Sequence, residues 1–359
     1  MGMVMNIACS DNNNQVQDDP EEIDDPVTDP NAKLVPTVRI ASTVSIPDTN
    51  DPGLKNPIWL LDNIGRDWVL NLPLNTYVVF KLEGSYSQIL FQWMSSANYN
   101  YDVTQYGCPS GYEIQVSSNS TNGNDGSWDT VVDESNNLWA ARAHHIKNND
   151  IQWVRFRVTS GGSNIDEIDI HDLSNSDGHP IDTWGFIGDS KTADTFWRNK
   201  IGAPQFNEKV HELVPERFPS MINFGIGGNN SEHLLARLQQ TINNNKGIYF
   251  WAVAIGTNDG DAEQFENNLK QIIETLLENG KQPIVARIAY RTDSNNQYVQ
   301  AFNIIIDRLV EEYELPAGPD LYSYFEQNPE HLRDGLHPTY TDGVRAIQRL
   351  WAEVAAKIK

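Results

Sequence analysis

The sequence predicts two domains in tandem, an all-β sandwich followed by an α/β domain on a parallel sheet. Three observations carry this. The chain has 359 residues, more than one average domain holds. Between about Leu34 and Asp172 it offers short runs of β-branched and aromatic residues separated by turn-formers. After a polar joint at Ser174-Asn175-Ser176-Asp177-Gly178, apolar strands alternate with amphipathic helices.

The expected strands of the first part are Thr37–Ile40, Thr76–Leu82, Gln88–Trp93, Tyr112–Val116 and Trp153–Val158. Several alternate apolar and polar residues, the period of a half-buried strand. In the second part, Thr183–Ile187 predicts a strand and a helix opens near Ser190. Met221–Phe224 is a second strand, followed by a helix over Ser231–Asn243. Tyr249–Ile255 is almost wholly apolar, as a strand covered on both faces should be. A helix over Ala262–Asn279, a strand over Pro283–Ala289, a helix over Gln297–Glu312 and a closing helix over Tyr340–Ile358 complete the alternation. The domains are expected at 34–175 and 181–359.

The net charge is −23, from 26 Lys+Arg against 49 Asp+Glu. Such a surface repels phosphate backbones and anionic membranes, so nucleic acid is not an expected partner. No run approaches the roughly 18 apolar residues of a membrane helix. Residues 11–32 contain eight acids and no base, which predicts a disordered acidic tether over 1–33. Ile7-Ala8-Cys9-Ser10 is similar to the end of a bacterial lipoprotein signal, making Cys9 a candidate lipid anchor and an extracytoplasmic location the expectation; a trimmed leader behind a cloning remnant accounts for it equally. The two cysteines, Cys9 and Cys108, are not expected to pair. No zinc-ligand spacing occurs, and no metal or cofactor is expected.

Four pieces of the second half carry chemistry: Gly188-Asp189-Ser190, Asn223-Phe224-Gly225-Ile226-Gly227-Gly228, Gly256-Thr257-Asn258-Asp259 and Asp334-Gly335-Leu336-His337-Pro338. Each falls after a strand or before a helix, at the rim where open α/β sheets bind ligands. A serine hydroxyl is a weak nucleophile until a base removes its proton, histidine is suited to that task near neutrality, and a nearby carboxylate fixes its tautomer. A neutral amide and free N–H groups at a helix start suit a developing oxyanion. Taken alone, each piece has a structural reading: Asp189-Ser190 as a helix cap, Asp259 as the cap of the next helix, Asp334-Gly335 as a turn. His211, His233 and His331 are assigned structural roles.

Over 181–359 these four blocks resemble the SGNH hydrolases, the GDS(L)-type esterases and lipases. The resemblance implies a three-layer, flavodoxin-like catalytic domain with Ser190 as nucleophile, His337 as base, Asp334 orienting it, and Ser190, Gly228 and Asn258 forming the oxyanion hole. Lys191 departs from the pattern, since the family often carries an apolar residue there. Residues 34–175 resemble the galactose-binding-like jelly rolls, on Asp62-Asn63 with Trp68, Gly111–Ser117, Gly126-Ser127-Trp128 and Arg155–Val158. That resemblance makes Tyr99, Tyr101, Tyr106, Trp128 and Trp139 candidate sugar-stacking residues, against a role in packing. The pairing is similar to two-domain carbohydrate acetyl esterases, which implies a serine esterase removing acetyl groups from plant polysaccharides. A lipase or thioesterase of the same family is the alternative, and a glycan-binding surface protein with a degenerate hydrolase domain another.

Overall fold

The structure is a computed structural model, and it describes residues 33–46, 57–61, 63, 70–95, 108–177, 179–197 and 205–359. Apart from Lys33, the expected tether lies outside these residues, as do Cys9, Tyr99, Tyr101 and Tyr106.

The second half is an α/β domain. Its parallel sheet is built from β9 (Thr183–Gly188), β10 (Ser220–Asn223), β11 (Phe250–Ala254), β12 (Gln282–Arg287) and β13 (Ala317–Asp320) in the order β10-β9-β11-β12-β13. This is the flavodoxin-like arrangement, in which the chain leaves β9 for one side and then crosses to the other. One face is covered by α3 (Ser231–Asn243), α4 (Ala262–Glu278) and α5 (Gln297–Glu312), whose Leu234, Leu238, Phe265, Leu269, Phe302 and Ile306 are buried. The other carries α2 (Phe206–Leu213), α6 (Leu321–Gln327) and α7 (Asp342–Ala355) around Phe206, Phe325 and Trp351. Helix α1 (Ser190–Trp197) leads off from β9.

The helices start where their caps permit. Asn230 accepts the His233 N–H and Asp261 accepts the Gln264 N–H, each three residues on. The closing helix is shorter than expected. It starts at Asp342, after a turn in which the Thr339 hydroxyl takes the Gly343 N–H, and its last carbonyl, from Ala355, is claimed by Arg217. Helices α2 and α6 and strand β13 were not expected; they are short, at 8, 7 and 4 residues.

The first half is a β domain. Its six-stranded antiparallel sheet has the order β1-β3-β6-β4-β5, with β8 also pairing with β3. The strands are β1 (Ala41–Ser45), β3 (Val78–Met94), β4 (Pro109–Ser117), β5 (Asp129–Glu134), β6 (Ala141–Gly161) and β8 (Glu167–Asp172); β2 (Leu70–Asn71) and β7 (Asn164–Ile165) form a separate pair. Two expectations change. Thr37–Ile40 is not a strand: Thr37 bonds across to Asp182 and Phe218 of the other domain, and the backbone of Arg39 makes only an isolated bridge to His171 of β8 among the described residues. Thr76–Leu82 and Gln88–Trp93 belong to one 17-residue strand, β3, whose register slips between Lys81 and Gln88.

Strand β3 also joins the domains. Its alternate side chains serve two cores: Ile89, Phe91 and Trp93 enter the β domain's core, whereas Leu90 and Met94 enter the core under α3 and α4. Ala141, Ala143 and Leu173 do the same. Around them, Gln92 Nε2 donates to the Met221 carbonyl (2.9 Å), Thr37 Oγ1 to that of Asp182 (3.0 Å), and the Ala143 N–H to Asn245 Oδ1 (2.8 Å). Asp182, Met221 and Asn245 lie before β9, early in β10 and before β11. These contacts therefore meet the amino-terminal side of the parallel sheet.

Three histidines of the β domain are held neutral. Burial, aided by Arg142, pushes His144 down to about 3; burial, aided by Lys147, pushes His145 down to about 4; and burial holds His171 at about 4 despite Asp169. In the unfolded chain a histidine titrates near 6.5. Between pH 6.5 and about 4 the unfolded state therefore binds protons that the folded state refuses, so stability falls as pH drops through that window. Thermal melts at pH 7 and pH 4.5 should show a clearly lower Tm at the acid pH.

Candidate active site

Gly188 ends β9 and Asp189 precedes α1, its carbonyl accepting the Ala193 N–H at 3.0 Å and its carboxylate the Lys191 N–H at 2.8 Å. The cap is thus Asp189, and the Ser190 hydroxyl is left for other use. The turn is pressed against the end of β11. A Cβ at Gly188 would lie 2.2 Å from the Ala254 carbonyl oxygen and 2.4 Å from Thr192 Oγ1, so no larger residue fits.

Ser190 Oγ is 2.9 Å from His337 Nε2, and His337 Nδ1 is 2.8 Å from Asp334 Oδ2. Residues 147 positions apart are brought together because the loop before α7 returns to the rim. The Asp334 side chain also shapes that loop, taking the N–H groups of Leu336 (3.0 Å) and His337 (2.7 Å) on Oδ1. Burial raises the Asp334 pKa, but these N–H bonds and the imidazole outweigh it and hold it at about 2. The loop is braced twice more. Arg333 donates to the Pro338 carbonyl (3.1 Å) and to the buried Asp194 of α1 (2.6 Å), and the Thr292 N–H donates to the Gly335 carbonyl (2.7 Å).

The other two blocks form neighbouring loops. Gly228 has φ +77°, a conformation that favours glycine, and a Cβ there would meet nothing within 4 Å, so its backbone faces open space. Asn258 Nδ2 donates to the Asn229 carbonyl at 2.9 Å, which orients the amide and leaves its second N–H for another acceptor. Asp259 corrects an expectation. It does not cap α4, where Asp261 stands at the right offset; its carboxylate instead takes the N–H of Ser231 (3.0 Å) and the Ser231 hydroxyl at the start of α3. Asp259 thereby fastens the Asn258 loop to the loop carrying Gly228. Its place in the motif was visible in the sequence, but its partner belongs to a helix 28 residues away.

Lys191 is 5% exposed, and its ammonium donates to Thr257 Oγ1 at 2.9 Å. Burial lowers its pKa, opposed first by Asp189.

The remaining candidates lie elsewhere. Trp139 is buried and takes the packing reading. Trp128 is half-buried, with the Arg155 guanidinium 4.2 Å above its ring and its Nε1–H on the Asp125 carbonyl. His211, His233 and His331 bond the Arg217 carbonyl, the Asn230 cap and the Tyr324 hydroxyl. Cys108 is a free, buried thiol pushed up to about 11 by burial. Among the described residues, no group of three or more His, Cys, Asp or Glu side chains could hold a metal ion, and no helix is long and apolar enough to cross a membrane.

Residues 186–341 match the GDSL-like Lipase/Acylhydrolase family. These residues lie in the C-terminal α/β domain, which is similar to the GDSL-type hydrolases over that span. Over 124 residues the chain is 27% identical to thioesterase 1/protease 1/lysophospholipase L1 of Escherichia coli K12, a match covering 33% of the chain. The chain spans 59% of the length of that relative. Solved structures similar to part of the chain include a lipase/acylhydrolase from Enterococcus faecalis, at 20% identity and TM-score 0.41 over 49% of this chain and 97% of that one. An acetylxylan esterase from Geobacillus stearothermophilus is similar at 17% identity and TM-score 0.40, over 49% and 94%.

Proposed function

We propose that the protein is a serine esterase acting through an acyl-enzyme, with Ser190 as nucleophile, His337 as base and Asp334 orienting it. The observation that carries this reading is the unbroken hydrogen-bonded chain from Ser190 Oγ through both nitrogens of His337 to Asp334, at 2.9 and 2.8 Å. Ser190 Oγ attacks the ester carbonyl while His337 Nε2 takes its proton. Asp334, ionised at any pH well above about 2, keeps the other imidazole proton on Nδ1 and stabilises the imidazolium. The tetrahedral oxyanion accepts hydrogen bonds from the backbone N–H groups of Ser190 and Gly228 and from the second N–H of the Asn258 amide. Return of the proton from His337 to the alcohol oxygen expels it, and water repeats the sequence on the acyl-enzyme.

In this reading the substrate is an acetylated polysaccharide met outside the cytoplasm, and the β domain is a galactose-binding-like jelly roll. Support comes from the pairing of an antiparallel β domain with a GDSL-type domain. A second reading, hydrolysis of long-chain acyl esters or thioesters, is favoured by the Escherichia coli relative, whose description names a thioesterase and a lysophospholipase. The two are separated by comparing acetate release from acetylated xylan with turnover of palmitoyl-CoA and of a lysophospholipid. Acetate release should dominate; turnover of only the long-chain substrates would overturn the glycan reading.

A further inference from the structure

Lys191 follows the nucleophile directly, yet its side chain takes no part in the proton relay. It is a long cationic residue at 5% exposure, and burying an ammonium is costly unless the charge is used or compensated. Its hydrogen-bond acceptor is Thr257 Oγ1, at 2.9 Å. Thr257 immediately precedes Asn258. One side chain therefore spans from the turn that presents the Ser190 N–H to the loop that presents the Asn258 amide. The charged groups around it come from three elements: Asp189 at the same turn, Arg291 and Asp293 after β12, and Asp334 in the histidine loop. Arg291 and Asp293 are bound to each other by two contacts of 2.7 Å. Among the described residues no carboxylate oxygen forms a salt bridge with the ammonium.

We propose that Lys191 is a positioning residue of the oxyanion hole. Its protonated ammonium clamps the Asn258 loop to the nucleophile turn and supplies positive charge beside the donors where the oxyanion forms. This rests on the serine-esterase reading above. A neutral amine at this place would lose both the charge and the charge-assisted hydrogen bond to Thr257. The clamp is thus present while Lys191 is protonated and lost as pH rises through its pKa. Because that pKa is lowered from the ordinary 10.5, the loss falls at a lower pH than for an exposed lysine.

The test is steady-state hydrolysis of p-nitrophenyl acetate from pH 6 to 10.5 by the full chain and by Lys191→Met, Thr257→Val and Ser190→Ala, each checked for folding by circular dichroism. Lys191→Met should lose roughly 10- to 100-fold in kcat with KM nearly unchanged, the scale on which small displacements of catalytic groups act. The unaltered protein should show an alkaline fall in kcat, and this variant should lack it. Thr257→Val removes the acceptor but keeps the charge; it should lose less kcat, and its alkaline fall should move to lower pH, because the ammonium has lost a stabilising partner. An unaltered kcat and alkaline limb in Lys191→Met would overturn the proposal. Should that variant fail to fold, an alkaline limb unmoved by Thr257→Val would overturn it instead. Ser190→Ala separates the two readings: an active alanine variant sinks the esterase mechanism itself, whereas an inactive one beside a normal Lys191→Met sinks only the clamp.

Discussion

Ser190→Ala is expected to lower p-nitrophenyl acetate turnover by about six orders of magnitude, the loss typical of removing the nucleophile from an intact serine triad. The residual rate over water would come from the oxyanion donors, which the substitution leaves in place. The structure makes this variant a clean one. A serine at a helix start usually caps it, and its loss then costs about 1 kcal/mol of stability. Here the cap is Asp189, whose carboxylate holds the Lys191 N–H, and among the described residues the Ser190 hydroxyl is engaged only with His337. The alanine variant should therefore melt within about 0.5 kcal/mol of the parent, the usual range for substitutions away from special features. Stopped activity with an unchanged melt is the expected pair of results, and unchanged turnover would refute the nucleophile.

The largest expected loss of stability lies far from the site. Arg217 holds Asp182 with two contacts of 2.8 Å, from Nε and Nη2, and spends Nη1 on the Ala355 carbonyl at the end of α7. Asp182 is fully buried and also accepts the Trp184 indole N–H at 2.9 Å. Arg217→Met would strand a buried carboxylate and unsatisfy a helix end, at a cost of roughly 3–5 kcal/mol. Urea unfolding should show the midpoint falling by that amount over the m-value. Replacing Asp182 by Leu in the same chain should restore part of the loss, since what destabilises is the unpaired charge more than the missing pair. A midpoint that stays put would mean that water reaches Asp182.

What the sequence disclosed follows from how local each feature is. Helices α3 and α5 appear with their expected bounds, Ser231–Asn243 and Gln297–Glu312, because their periodicity lies within the segment, and α3 adds its own cap, Asn230. Strand β11 was legible from its unbroken apolar run. By contrast, Thr37 pairs with Asp182, 145 residues away, and no local pattern marks that. The same division holds at the rim. Residue types and order made Ser190, Asn258 and His337 candidates, but the role of Asp259 depends on Ser231, and that of Lys191 on Thr257, through contacts formed only in the folded chain.

Strand β3 has one more consequence. Its two rows of side chains sit in different cores, so the polar joint near residue 177 divides the sequence without creating a swivel between the cores. Leu90, Met94 and Leu173 each contribute about 1.5–3 kcal/mol by remaining buried, and the halves can part only by giving that up. Under the glycan reading proposed above, the β domain would therefore not act as a grapple on a leash that raises local substrate concentration by sweeping a volume. Any glycan it held would sit at a fixed offset from Ser190, and a polymer would bridge that offset only if its own length matched.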